Sequence, residues 1–166
     1  PAERGDVFFI PAGMIHAIGA GVILTEIQQT SDITYRIYDW DRVDASGKPR
    51  EMHTELALDA INFDLDTSNL IRTPAELNQT VLLAECDYFH TSLIRFDRPV
   101  IKDYSLTDSF VIYICTGSLA VIECSGMIEE IREGETLLIP ASADSVSLIP
   151  RGTATVLEVF IPQKKH

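Results

Sequence analysis

One short pattern is written twice into this chain, and it decides what the chain can fold into. Gly5-Asp6-x-x-x-Ile10-Pro11-Ala12 recurs as Gly134-Glu135-x-x-x-Ile139-Pro140-Ala141. Each copy reads as a glycine turn, a short apolar strand and a proline that cannot donate to a sheet ladder. In the first copy the chain continues Gly13-Met14-Ile15-His16. Gly13 tolerates positive φ, so the chain reverses there and His16 rides on the return. The second copy carries Ser145 in the place of His16. Downstream, Gly21 and Glu26 loosely match Gly152 and Glu158, with two extra residues in the second copy. Two similar β units are expected, one with an imidazole where the other has only a hydroxyl. His16 is then either a surface-turn or packed histidine or a metal ligand held on a stiff hairpin.

Around these turns the chain reads as many short strands. Runs at 7–10, 22–28 and 33–38 carry strand formers in the first part. Further runs lie at 80–84, 89–96, 110–115, 119–123, 136–139, 145–149 and 153–160. Turn signals separate them at Thr116-Gly117, Ser125-Gly126, Glu133-Gly134, Pro140 and Arg151-Gly152. Strands at this spacing indicate a sandwich or barrel. The sequence predicts one short helix, over 55–61, with Thr54 as its N-cap. Asp44-Ala45-Ser46-Gly47-Lys48-Pro49 reads as a loop. Residues 65–78 are polar and irregular, so the expected division is 1–64, a linker at 65–78, and 79–166.

Composition narrows the possibilities. Of 166 residues, 46% are hydrophobic, which suits a packed domain or two small ones. No apolar run approaches the roughly 20 residues of a membrane-spanning helix. The net charge of −12, with no basic cluster ahead of Lys164-Lys165, speaks against nucleic acid. A sugar phosphate remains compatible, because one or two placed arginines suffice to hold it. Cys86, Cys115 and Cys124 sit in apolar runs without C-x-x-C spacing. They read as small hydrophobes in a reducing compartment, and a cytoplasmic location is expected. A start at Pro1, immediately before a strand, suggests a fragment.

The stretch from Gly5 to His16 resembles the second motif of the cupin superfamily, G-[DE]-x-x-x-x-P-x-G-x-x-H. Its continuation, from Gly21 through Ser31-Asp32-Ile33-Thr34-Tyr35-Arg36 to Asp41-Arg42, resembles the C-terminal half of the type I mannose-6-phosphate isomerases in their short bacterial form. The resemblance implies a mainly β protein with two cupin-type (jelly-roll) β-barrels, one partial and one complete, and one short helix. It implies zinc as cofactor, with His16 as the one ligand present and the others expected before Pro1. It also implies that mannose 6-phosphate and fructose 6-phosphate interconvert by proton transfer through an enediolate. Asp32 and Arg36 match the family's S-D-x-x-x-R segment and are the candidate catalytic residues. Four apart on a strand, they share a face, and an ordinary ion pair is the alternative. Glu26 and Gln28 also share a face and are candidate substrate-binding residues, or simply a polar exposed face. Tyr35, Tyr38 and Trp40 read as packing, His53 as solvent-exposed.

The second unit contains Val111-Ile112-Tyr113-Ile114-Cys115-Thr116-Gly117, which resembles the end of the first cupin motif, without the paired histidines and glutamate that normally precede the glycine. The competing reading is a non-catalytic cupin module for sugar binding or assembly, inactive without the missing half. Its open sheet edges would invite pairing with a second copy.

Overall fold

The computed structural model describes residues 2–31, 33–65, 70–72 and 76–163. The chain forms two compact units. One comprises Pro1–Val7 with Ile71–His166, the other Phe8–Leu70.

The larger unit is a sandwich of two antiparallel sheets. The first contains β3 (Gln79–Glu85), β4 (His90–Phe96), β11 (Ala154–Phe160), β6 (Val111–Gly117) and β9 (Thr136–Ile139), in that spatial order. The second runs β5 (Val100–Asp103), β10 (Ser145–Pro150), β7 (Leu119–Cys124) and β8 (Met127–Arg132). Neighbours in space are often distant in sequence, as in a jelly roll. Alternation fixes the inward faces. Ile94 and Phe96 on β4, Tyr113 and Cys115 on β6, Ala154 and Val156 on β11 meet Ala120, Ile122, Val146 and Leu148 from the other sheet. Removing this apolar surface from water, at roughly 25 cal/mol per Å², is what holds the two sheets face to face.

Every strand expected in this unit is present, with ends shifted by a residue or so. Two were not anticipated. β5 has its outward Ile101 74% exposed, so its apolar pattern runs against its facing. β8 buries only Ile131.

The smaller unit departs further from expectation. Residues 22–28 and 33–38 lie outside any ladder. A strand needs a ladder of hydrogen bonds to a neighbour; among the described residues Arg36 bonds to His53, but no ladder forms. Their apolar side chains stay in solvent, Ile23 completely so and Ile33 at 66%. The helix α1 runs Thr54–Ala60, with His53 rather than Thr54 at the N-cap and no side-chain cap. It buries Ala57, whereas Leu58 is exposed. Two short strands, β1 (Val7–Phe8) and β2 (Leu70–Ile71), pair with each other.

The sequence repeat is also a repeat of hydrogen bonds. Asp6 N–H donates to the Glu3 carbonyl at 3.1 Å, and the Asp6 carboxylate accepts Glu3 N–H at 2.9 Å. In the second copy Glu135 N–H donates to the Arg132 carbonyl at 2.8 Å, and the Glu135 carboxylate accepts Arg132 N–H at 2.8 Å. The glycine inside each turn has positive φ, +94° at Gly5 and +90° at Gly134. The proline turns match as well. Met14 N–H donates to Pro11 C=O at 3.2 Å, and Ala143 N–H to Pro140 C=O at 3.0 Å.

Candidate functional site

The candidate residues of the first copy begin at the Pro11 turn. Gly13, at φ +84°, occupies the third position, which a type II turn gives to a positive φ. Its carbonyl accepts Asn62 N–H at 3.0 Å, which ties the turn to the chain leaving α1. His16 follows on the return and is exposed. Its Nδ1 lies 3.1 Å from the Met14 carbonyl. A carbonyl only accepts, so this contact places the proton on Nδ1 and leaves the Nε2 lone pair for a ligand. That is the tautomer a metal-binding imidazole needs.

Arg36 is held by its backbone. His53 N–H donates to the Arg36 carbonyl at 2.8 Å, and Arg36 N–H donates to His53 Nδ1 at 3.3 Å. His53 is thus a clamp at the start of α1, one quarter exposed rather than free in solvent. Its place before a helix gave no sign of this, because the partner lies far away in sequence. The Arg36 guanidinium donates to the Glu51 carbonyl at 3.4 Å and stands 3.9 Å from Asp39. Arg50 holds the same Asp39 carboxylate through Nε at 2.6 Å and through Nη2. The Arg50 hydrogen bond keeps the Asp39 carboxyl below its ordinary range. Arg36 is therefore left with a distant share of one carboxylate, and its charge is not matched at close range.

Glu26 and Gln28 are exposed. Asp32 lies outside the described residues. Among the described residues His16, Glu26, Gln28 and Arg36 make no hydrogen bond or ion pair with one another, and no three His, Cys, Asp or Glu side chains gather as for a metal. Zinc takes about four ligands. The described residues supply one suitable imidazole, so they do not by themselves fit a zinc. Tyr38 and Trp40, expected as packing, are more than half exposed and meet edge to face at 5.1 Å between ring centres. All three cysteines are free. Cys115 is buried, which raises its thiol, and the other two are partly buried.

The paired turns and the two-sheet sandwich define a protein of the cupin, jelly-roll class. No protein-family profile matches the chain. The Bacillus subtilis protein YvyI is 30% identical over 166 residues, covering 93% of this chain and 48% of that protein. Mannose-6-phosphate isomerase ManA of Bacillus subtilis is 42% identical over 89 residues, 52% of this chain and 28% of the relative. Mannose-6-phosphate isomerase of Streptococcus mutans is 39% identical over 93 residues, 54% and 28%. A crystal structure of the Bacillus subtilis mannose 6-phosphate isomerase aligns with 78% of this chain and 40% of its own, at a TM-score of 0.59 and 20% identity, which shows the shared fold. The chain is similar in sequence to these mannose-6-phosphate isomerases, and it spans at most about half the length of these relatives.

Proposed function

We propose that this chain is the C-terminal portion of a zinc-dependent mannose-6-phosphate isomerase acting in the cytoplasm. The observation that carries the reading is the sequence similarity, which extends over 93% of the chain. In this reading His16 contributes one metal ligand through Nε2, and the remaining ligands come from outside this chain. Arg36 receives an anionic oxygen of the hexose 6-phosphate or of its enediolate, for which its loosely matched charge and forked donors suit it. Asp32 orients a sugar hydroxyl or takes part in moving the proton between C1 and C2. Glu26 and Gln28 hold substrate. Support for a lumen-facing Glu26 comes from its loose counterpart Glu158, which is 2% exposed and alternates with the core residues Ala154 and Val156.

A second reading is favoured by there being one candidate ligand, His16, and no cluster of metal-ligating side chains among the described residues: a non-catalytic module for sugar binding or assembly, with unladdered edges that pair with a second copy or with the half that lies outside this chain. The two readings part in one assay. The complete gene product carrying this chain is tested for mannose 6-phosphate to fructose 6-phosphate conversion, alongside the 166-residue chain alone. Activity in the first and none in the second supports the isomerase reading. Inactivity of both leaves the module.

A further inference from the structure

Among the described residues of the larger unit one carboxylate, Glu158, is buried, and its surroundings are unusually complete. Glu158 on β11 sits in register with Ser92 on β4 and Tyr113 on β6, facing the space between the sheets. Lys102 reaches it from β5 in the opposite sheet. Its Nζ lies 2.9 Å from Oε1 and 3.2 Å from Oε2, and 3.1 Å from Thr80 Oγ1. The ammonium donates hydrogen bonds to Glu158 Oε2 and Thr80 Oγ1, with Glu158 Oε1 at ion-pair distance. Tyr104 donates its hydroxyl proton to Glu158, so its oxygen accepts from Tyr113. A buried carboxylate requires a positive charge and donors to balance the water it has lost. This one has both, and the cation is a side chain of the same sandwich.

The repeat gives the arrangement a meaning. The first copy has His16 on its turn, whereas the second has Ser145. It also has Glu26 where the second has Glu158. The second copy thus retains a carboxylate, while its turn carries a hydroxyl in place of the imidazole.

We propose that this charge pair is a cation-binding site occupied in cis, with the Lys102 ammonium as its resident ligand, Glu158 and Tyr104 as its buried lining and the solvent-exposed Thr80 as a further acceptor. Shortening Lys102 opens the site to a free primary ammonium ion. Lys102→Ala removes three carbons and the ammonium, a volume equal to n-propylammonium. The melting temperature of K102A is expected to fall by about 10 °C. Propylammonium chloride restores it saturably, whereas tetramethylammonium chloride, which has no N–H donor, does not. The recovery disappears in the K102A/E158Q double variant, which has no buried charge left to satisfy. Should K102A not fold, the readout becomes the return of its near-UV circular dichroism on adding propylammonium. An unchanged melting temperature in K102A, equal recovery with both salts, recovery that persists in the double variant, or no refolding with propylammonium would each overturn the proposal.

Discussion

Gly13 stands so close to Ala60 that a β-carbon built on it would lie 2.8 Å from the Ala60 carbonyl oxygen. The same atom would meet the Asn62 backbone nitrogen at 3.1 Å. Neither neighbour is the flexible end of a side chain, and φ is already +84°. Gly13→Ala is therefore expected to destabilise the smaller unit by about 1–3 kcal/mol, from steric and backbone strain together. Trp40 is the chain's one tryptophan and lies in that unit. A lower urea midpoint in its fluorescence is the check; an unchanged midpoint would show that the turn can move away from α1.

The Glu158 network makes a stability prediction separate from ligand rescue. Burial raises the Tyr104 and Tyr113 phenols far above their ordinary range, so neither ionises in the folded state. Glu158→Leu leaves Lys102 without its counter-charge and is expected to cost about 3–5 kcal/mol. Adding Lys102→Met to that variant removes the unpaired ammonium and returns most of the loss. Chemical denaturation of the single and double variants measures the coupling; simple additivity would mean that the two groups act independently.

Asp39 links stability to pH. Its carboxyl is held below the ordinary range, chiefly by the Arg50 hydrogen bond. A depressed carboxylate stabilises the fold above its unfolded value, near 3.9. That contribution is lost as pH falls through the lower folded value. Asp39→Asn is expected to flatten the acid limb of a stability profile measured from pH 6 to pH 2. Parallel profiles for the two proteins would place the acid sensitivity elsewhere.

Arg36 separates charge from shape. In the complete gene product Arg36→Lys keeps the positive charge but loses the planar fork. A fall in kcat/KM for mannose 6-phosphate of roughly 10-fold or more is expected, with larger loss in Arg36→Ala. Steady-state kinetics at fixed ionic strength decide it, and full activity in Arg36→Ala would remove the residue from the site.

How much of this was legible in the sequence depended on whether the cause was local. Strand β9 has the bounds read from its apolar run and flanking turns, Thr136–Ile139. The two acid-and-glycine turns could be paired because their hydrogen bonds close within three residues. β5 was hidden because Ile101 faces out while Lys102 faces in. Glu158 appeared as one charge in an apolar run, since its partners Lys102 and Tyr104 lie on and just after β5. Residues 22–28 and 33–38 carry strand formers, yet a ladder is a property of two segments, and among the described residues they form none. Likewise His53 owes its role to Arg36, seventeen residues away.

The proposed metal role rests on His16, whose Nδ1 contact with the Met14 carbonyl leaves Nε2 as the atom to meet a ligand. The most direct measurement compares the complete gene product with its His16→Ala variant for zinc content and for mannose 6-phosphate turnover. Loss of stoichiometric zinc together with a fall in kcat of roughly 100-fold or more is predicted, beyond what removing an outer-shell partner costs. Full turnover and unchanged zinc in the variant would contradict the assignment of His16 as a metal ligand.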